Sequence, residues 1–427
     1  MLKKTYPTGE TVYEDTLQNG LKLRIVTRPG FQRKCAYFVT DFGAAHRVFT
    51  VDGEQIEAPM GVAHFLEHKM FDLPDRDVMA EYSALGANPN AFTGNDMTAY
   101  HFSCTENFYP ALKLLLEFVT TPCFTRESVA KEQGIIGQEI GMYRDSPDSR
   151  MFENLMNAMY RRHRIREPIL GTVETIGTIT PEILYRCHKA FYRPDNMLLC
   201  VVGDVDPEKV AAMAEALIPP PPGETVIKER IPAEEMRVET AFVSEKMEVA
   251  MPTFQIGFKC EPAGKGREAV RRELIGDLAA EALLGESSPL YLKLYQAGVI
   301  DGSFGGGFEV SEGMSLLTAY GDSREPETVR RAILEEAKRL CREGLDARDV
   351  LRMKRSSLGR RIRELDSFDG LCYRICAYHF SGFDYFTLPE LYETVDAGDI
   401  LEMLGRVVRE DRCAMSIIMP TETEEGV

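Results

Sequence analysis

The sequence predicts an α+β protein of two homologous domains, each a mostly antiparallel sheet packed with helices, joined by a proline-rich linker. A length of 427 residues exceeds one ordinary core and indicates two or three domains. The run Ile218-Pro-Pro-Pro-Pro-Gly223 cannot enter a helix or a sheet interior, so it acts as a spacer near the middle of the chain. Both halves begin with strand-like stretches, continue with long helical stretches and close with a strand, as an internal duplication would.

These features place an N-terminal domain at residues 1–217, the linker at 218–236 and a C-terminal domain at 237–427. Apolar and β-branched runs with short periodicity predict the strands. In the first half they lie at 21–26, 36–40 and 197–202, and their counterparts in the second half lie at 240–243, 253–258 and 413–419.

The elements between these strands are clearest in the first half. Helices are predicted at about 59–71 and 77–85, the second ending at Gly86, and again at 106–120 and 126–143. Residues 90–93 and 98–103 have an extended pattern, and the intervening Gly94-Asn95-Asp96 is typical of a turn.

The charge balance argues against a nucleic-acid partner, and the hydropathy argues against a signal peptide or a membrane span. The chain has 67 acidic and 50 basic residues, a net charge of -17, without a basic stripe that would attract a nucleic-acid backbone. We expect no nucleic acid among its partners. No apolar run has the length of a signal peptide or a bilayer span, so we expect a cytoplasmic protein without a membrane span.

Ten cysteines are present without any Cys-x-x-Cys pair, and several lie in strand-like apolar runs. Buried, reduced thiols in a cytoplasm are the expected state. Cys372, Cys376 and His379 have a helical spacing that could bind a metal ion. Because one helix face offers only three ligands in an apolar segment, plain packing is the favoured interpretation.

The segment Gly61-Val-Ala-His-Phe-Leu-Glu-His-Lys-Met-Phe71 carries the strongest signal of chemistry. His64 and His68 are four residues apart on a predicted helix, so both imidazoles project from one face, and Glu67 lies on the same face. This His-x-x-Glu-His order supplies two nitrogen ligands for zinc and a carboxylate that can act as a general base toward water. Because the chain has only seven histidines, this spacing favours a metal site over the alternative, a polar helix face.

A catalytic zinc site needs a third protein ligand, which must come from elsewhere in the chain. Glu132 and Glu139 are seven residues apart, close to two helical turns, so both face the same side of a predicted helix. Spacing alone does not choose between them.

With His-Phe-Leu-Glu-His, the stretch Asn90-Ala-Phe-Thr93 and the paired glutamates, the first half resembles the pitrilysin/insulinase family of inverzincin peptidases, in particular its half-length bacterial processing-peptidase-like members. The resemblance extends through Tyr192-Arg-Pro-Asp-Asn-Met-Leu-Leu199 and Val201-Val-Gly-Asp204. It implies one zinc ion per chain, a metal-assisted endopeptidase and peptide substrates laid on an edge strand. By residue, it implies the following roles: His64, His68 and Glu139 as metal ligands, Glu67 as the catalytic base, Glu132 as a supporting carboxylate, and Asn90, Ala91 and Thr93 as substrate contacts.

The sequence departs from the family pattern in its second half. Family members carry an arginine and a tyrosine there that hold the substrate and stabilise the tetrahedral intermediate. The matching stretch, Leu290-Tyr-Leu-Lys-Leu-Tyr-Gln-Ala-Gly-Val-Ile-Asp301, has Tyr295 near the arginine position and Asp301 near the tyrosine position. We therefore expect the metal-bearing half of a heterodimer, whose partner is a homologous chain that lacks the metal motif and supplies Arg/Tyr. A self-sufficient homodimeric peptidase and a non-enzymatic peptide-binding scaffold are the alternatives.

Gly305-Gly-Gly307 lacks the context of a phosphate loop and is interpreted as a glycine-rich strand or turn.

Overall fold

A computed structural model describes residues 1–74, 76–311 and 313–421 of the chain. Within these ranges the fold combines two large, mostly antiparallel sheets with packed helices, which confirms the predicted α+β class. None of the helices in the described ranges combines the length and the apolar character needed to cross a bilayer.

The strands and helices have the following bounds. The strands are β1 Leu2–Thr5, β2 Thr11–Thr16, β3 Lys22–Thr27, β4 Lys34–Thr40, β5 Val48–Val51, β6 Glu54–Glu57, β7 Asp72–Leu73, β8 Arg76–Asp77, β9 Asn88–Thr93, β10 Thr98–Cys104, β11 Met197–Gly203, β12 Val226–Lys228, β13 Phe242–Met247, β14 Thr253–Cys260, β15 Gly305–Ser311, β16 Met314–Asp322 and β17 Cys413–Pro420. The helices are α1 Val62–Met70, α2 Val78–Ala84, α3 Phe108–Thr120, α4 Arg126–Arg144, α5 Pro147–Met159, α6 Val173–Ile176, α7 Pro181–Phe191, α8 Pro207–Leu217, α9 Gly266–Leu284, α10 Pro289–Gln296, α11 Pro326–Glu343, α12 Ala347–Glu364, α13 Phe368–Phe380, α14 Leu388–Glu393 and α15 Ala397–Val407.

The first compact unit is built on a seven-stranded sheet in the order β1-β2-β3-β11-β4-β10-β9. Strand β11 runs parallel to β3, and the other neighbours are antiparallel. One face of this sheet, with Phe38, Phe102 and Val201, belongs to a large apolar core that includes α1, α3 and α7. The other face carries Cys35, Tyr37 and Cys200 and packs against α13.

The second compact unit is built on a five-stranded sheet in the order β13-β17-β14-β16-β15. Strand β13 is parallel to β17, and the remaining pairs are antiparallel. Helix α9 packs on the side of this sheet near β15, and α5 packs across β17, β14 and β13.

The two sheets share the same strand order around their last strand, which supports the predicted duplication. In each, the last strand of the half inserts between two consecutive earlier strands, β3 and β4 in the first sheet and β13 and β14 in the second. It is parallel to one and antiparallel to the other, and two further strands follow to the edge. The predicted strand at 197–202 is observed at Met197–Gly203, and that at 413–419 is observed at Cys413–Pro420. The Gly305-Gly-Gly307 stretch is the start of strand β15, as the sequence indicated.

The compact units differ from the contiguous division expected from the sequence. The first contains residues 1–140, 167–230 and 361–386, and the second contains 141–166, 231–360 and 387–427. The first half therefore contributes α5 to the second unit, and the second half contributes α13 to the first. Periodicity locates helices along the chain but carries no information about which sheet a helix covers, so this exchange could not be anticipated.

The predicted linker at 218–236 is partly a strand. Val226–Lys228 pairs antiparallel with Val48–Val51 in a three-stranded sheet of the first unit. The four prolines that precede this strand lack an N–H to donate and stay outside the ladder, but the β-branched Val226 and Ile227 favour an extended conformation.

Candidate metal centre

Helix α1 holds the first two candidate ligands, His64 and His68. Its N-cap residue, Gly61, has a φ of +88°. A Cβ at this position would lie 2.4 Å from the carbonyl oxygen of Leu170. Only glycine tolerates both the left-handed backbone and this close approach. The helix begins here and is buried along most of its length, including His64 and Glu67.

Helix α4 brings the third candidate ligand to the same place. Its apolar residues Ile136 and Ile140 are buried, and Glu132 is buried with them. The ligand atoms of His64, His68 and Glu139 all lie within 4.8 Å of one another. The carboxylate of Glu139 is 3.7 Å from Nε2 of His64 and 3.7 Å from Nε2 of His68. Two imidazoles and one carboxylate converging on one point form the donor set of a catalytic zinc site.

Glu132 orients the imidazole of His68 by contacting the ring nitrogen that does not face Glu139. Its Oε1 lies 3.0 Å from Nδ1 of His68, so a hydrogen bond from that nitrogen leaves Nε2 directed at Glu139. Such a carboxylate–imidazole pair fixes the tautomer and the ring orientation of a ligand histidine. Glu132 and Glu139, which spacing alone did not separate, thus occupy different positions, one beside Nδ1 and the other beside Nε2.

The electrostatics of the two histidines differ. Burial, together with the nearby His68, lowers the pKa of His64 to about 3, so its ring is neutral at physiological pH. The pKa of His68 is raised: burial acts to lower it, but the hydrogen bond to Glu132 and the charges of Glu67 and Glu139 outweigh that effect. The Nδ1 atom of His64 is buried without a hydrogen-bond partner. A neutral ring offers a lone pair to a cation, and a cation would relieve the repulsion among the clustered carboxylates.

Glu67 lies next to this cluster and is almost fully buried. Burial raises its pKa, as does the charge of Glu139. The hydroxyl of Thr93 donates a hydrogen bond of 2.7 Å to Oε2 of Glu67. Thr93, which the resemblance marks as a substrate contact, therefore also holds the candidate base through its side chain.

Strand β9, which carries Asn90, Ala91 and Thr93, lies at the edge of the first sheet and pairs only with β10 within the described residues. The N–H of Ala91 is bonded to the side-chain oxygen of Asn90, 2.9 Å away, instead of a strand partner. Helix α1 packs beside this strand. The three residues therefore share an edge strand next to the metal centre, where an added strand could pair.

Tyr295 and Asp301, which the resemblance leads us to expect at the family's arginine and tyrosine positions, lie in the second unit. Tyr295 is exposed near the end of α10, and its ring stacks on Tyr291. Asp301 follows in a turn, where its carboxylate accepts hydrogen bonds from the N–H and the hydroxyl of Ser303. A carboxylate occupied in this way is not a donor for a developing oxyanion.

Two features near the metal centre, a buried tyrosine pair and a buried lysine, were not predicted from the sequence. The hydroxyls of Tyr100 and Tyr192 are 2.8 Å apart and fully buried close to Glu67, and burial raises the pKa of both. Lys69, the residue after His68, is completely buried and forms an ion pair with Asp72. Tyr192 lies within the Tyr192-Arg-Pro-Asp-Asn stretch that the family resemblance had already marked, so that signal was available; Lys69 offered none, because its burial depends on the tertiary fold.

Comparison with known proteins gives the family of the chain. Residues 53–173 match the family model described as Insulinase (Peptidase family M16), and residues 178–357 match the one described as Peptidase M16 inactive domain. The uncharacterized zinc protease YmfH of Bacillus subtilis is 34% identical over 420 residues, covering 96% of this chain and 97% of that protein.

Two further relatives extend the comparison. The crystal structure of a putative M16-like peptidase from Alicyclobacillus acidocaldarius has a TM-score of 0.92 and 30% identity, and covers 98% of this chain and 100% of that one. The probable mitochondrial-processing peptidase subunit beta of Schizosaccharomyces pombe is 28% identical over 49% of this chain and 44% of that protein. The chain belongs to the insulinase family of zinc proteases, peptidase family M16.

Proposed function

We propose that the chain is the metal-bearing subunit of a zinc-dependent endopeptidase that hydrolyses extended peptides together with a homologous partner chain. The observation that carries this proposal is the convergence of His64, His68 and Glu139 within 4.8 Å, with Glu67 buried beside them. These three ligands would hold one zinc ion per chain, and Glu132 would orient His68 by its hydrogen bond to Nδ1.

A zinc ion at this site would lower the pKa of water to about 7 and polarise a peptide carbonyl. The chain's own contribution is proton transfer and positioning. Glu67, held by Thr93, would accept a proton from the attacking water and return it to the leaving amine. Because burial raises the pKa of Glu67, the protonated form is closer in energy to the ionised form, which suits a group that both takes and gives a proton.

The substrate would lie as an additional strand along β9. Main-chain pairing to an edge strand supplies affinity with little demand on side-chain sequence. The side chain of Asn90 now satisfies the N–H of Ala91, and a peptide carbonyl would take its place. Thr93, at the end of this strand, links the binding surface to Glu67.

The partner is inferred from what the second unit offers. Asp301 cannot donate a hydrogen bond to an oxyanion and is already engaged by Ser303. Removing one oxyanion donor typically costs about 10²- to 10³-fold in rate. A chain that lacks both donors needs them from a homologous subunit with Arg/Tyr and without a metal motif. The Schizosaccharomyces pombe relative, whose name describes it as a subunit, is consistent with such an assembly.

The test is a peptide-cleavage assay with the zinc-loaded chain alone and with an added homologous chain that has Arg/Tyr but no His-x-x-Glu-His. We expect background turnover alone and strong turnover with the partner. Glu67→Gln should reduce the rescued rate by about 10²- to 10⁴-fold while zinc stays bound, because an amide cannot accept the proton. An arginine-to-alanine change in the partner should abolish the rescue without dissociating the complex.

Two other outcomes would assign a different function. Strong turnover by the chain alone would favour a self-sufficient homodimer, in which Tyr295, an exposed residue of the second unit, would act as a donor. In that case Tyr295→Phe should lower the rate. Zinc binding without turnover even beside a competent partner would favour a peptide-binding scaffold.

A further inference from the structure

A cavity of about 290 Å³ lies within the second unit and includes no residue of the metal centre. Its lining side chains come from α9, α15, the strands β14, β15 and β16, and the loop after β14. Pockets that bind drug-sized molecules measure about 300–1,000 Å³, so this cavity suits a smaller molecule. The chemistry of that molecule depends on the side chains that line the cavity.

The apolar part of the lining comes mainly from Ile275, Phe308 and Met403, which lie on three different elements. Gly276 allows Phe308 to pack directly on α9, because a Cβ at this glycine would lie 2.2 Å from the ring. Phe308 and Met403 are only half-buried, so part of each side chain remains open to the cavity. An apolar group that enters the cavity would cover this surface and be removed from water.

Most of the charged side chains around the cavity are paired with one another. Arg271 is 2.7 Å from Asp399. Glu261 is 2.9 Å from Arg406 and 3.1 Å from Arg412. Burial acts to raise the pKa of Glu261, but the hydrogen bonds from Arg412 and Arg406 outweigh it and hold this pKa at about 2. These groups are therefore engaged with each other and leave little charge for a ligand.

Arg272 and Glu268 differ from these pairs. Both line the cavity and are exposed. Within the ranges that the structure describes, neither forms an ion pair with another side chain. The two residues are four positions apart on α9, which separates their Cα atoms by about 6 Å along the helix axis. A small molecule with an ammonium and a carboxylate group can bridge them, with its ammonium at Glu268 and its carboxylate at Arg272.

We propose that this cavity binds a free apolar amino acid, of the size of leucine or methionine, as its zwitterion. The ammonium group pairs with Glu268 and the carboxylate with Arg272, and the side chain lies against Ile275, Phe308 and Met403. This is a second ligand site, which shares no residue with the metal centre. Its occupation does not depend on the proposed peptidase activity.

The lining argues against other classes of ligand. A nucleotide or another phosphorylated molecule would need several basic groups, but Arg271 and Arg406 are already held by carboxylates. An extended peptide exceeds the volume of the cavity. A free apolar amino acid uses the unpaired guanidinium, the unpaired carboxylate and the apolar surface together.

The experiment follows the methyl group of Met403 by NMR in the full-length chain with isotope-labelled methionine methyl groups. Met403→Leu identifies its resonance. We expect L-leucine to shift this resonance in a saturable way, with a dissociation constant in the millimolar range. The methyl group of Met79, which is exposed in the first unit, is the internal control and should not shift. His68→Ala should keep the response, because the metal centre contributes no group to the cavity.

Ligand analogues and matched variants test each contact. N-acetyl-leucine lacks the ammonium and leucinamide lacks the carboxylate, so each should bind about tenfold or more weakly than L-leucine. Arg272→Gln should weaken L-leucine to a similar degree but leave leucinamide unaffected. Glu268→Gln should weaken L-leucine but leave N-acetyl-leucine unaffected. Arg267→Gln changes an exposed arginine of the same helix outside the cavity and should preserve binding.

Four results would overturn the proposal. They are the absence of a saturable shift of Met403, equal affinity for L-leucine and N-acetyl-leucine, unchanged affinity in Arg272→Gln, and loss of the response in His68→Ala. The last result would place the amino acid at the metal centre. Tighter binding of leucyl-leucine than of L-leucine would also contradict it, since the cavity would then take the ends of peptides.

Discussion

The two compact units share one sheet topology but differ in what they bury beside the edge strand. In the first unit, α1 lies next to β9 and buries His64 and Glu67. In the second, α9 lies next to β15, and its buried face is apolar, with Phe308 of the strand packed against Gly276. Burying ionisable groups costs several kcal/mol unless a partner or a metal ion compensates.

The difference between the two units separates what the fold requires from what the candidate site requires. The same backbone frame is stable with an apolar helix at this place, so the charged helix of the first unit is not required by the fold. Its cost in stability is offset in part by the hydrogen bonds of His68 with Glu132 and of Glu67 with Thr93.

The largest expected effect concerns the exchanged helices. A fragment of residues 1–217 lacks α13, so the sheet face with Cys35, Tyr37 and Cys200 would be exposed to water. We expect this fragment to aggregate or to remain unfolded by circular dichroism and limited proteolysis. Co-expression with residues 218–427 should restore a soluble, protease-resistant protein. A stable, soluble fragment 1–217 would show that the first half folds independently.

The next largest effect is expected from removing a candidate metal ligand of the first unit. His68→Ala leaves two ligands at the proposed zinc site, so we expect stoichiometric zinc to be lost together with hydrolysis in the presence of the partner. His379→Ala, which changes a half-buried histidine of the same unit, serves as the matched control and should keep one zinc ion. Elemental analysis of both dialysed proteins decides this, and full zinc retention by His68→Ala would remove His68 from the site.

A smaller effect is expected from the carboxylate behind His68. Glu132→Gln keeps the shape but weakens the hydrogen bond that orients the imidazole. Zinc affinity should fall by about 10- to 100-fold, the usual range for such outer groups. Competition with a zinc chelator measures it. Glu127→Gln, at the exposed start of the same helix, should leave the affinity unchanged.

The smallest expected effect concerns the link between the edge strand and the base. Thr93→Val preserves the β-branched shape but removes the hydroxyl that bonds to Glu67. A hydrogen bond to a charged group is typically worth about 1.5–3 kcal/mol, so kcat should fall by about tenfold or more at unchanged zinc content. Thr93→Ser should restore most of the rate. An equal loss in Thr93→Ser would assign the effect to packing.

Much of this protein could be predicted from local sequence. The His-x-x-Glu-His spacing places two imidazoles and a carboxylate on one helix face because that geometry follows from the helical repeat. The strand positions followed from periodicity, and the duplicated order of elements predicted the two sheets. These are properties of segments a few residues long, which the chain determines without reference to the rest of the fold.

Tertiary structure alone decided which distant groups meet. Spacing left Glu132 and Glu139 equivalent, and only the packing of α4 beside α1 put one at Nδ1 of His68 and the other at its Nε2. The resemblance to known peptidases anticipated that assignment, but the residues themselves did not. The exchange of α5 and α13 between the two units had no local signal. Such contacts depend on the face that each helix covers, which the free energy of burying the whole apolar surface determines.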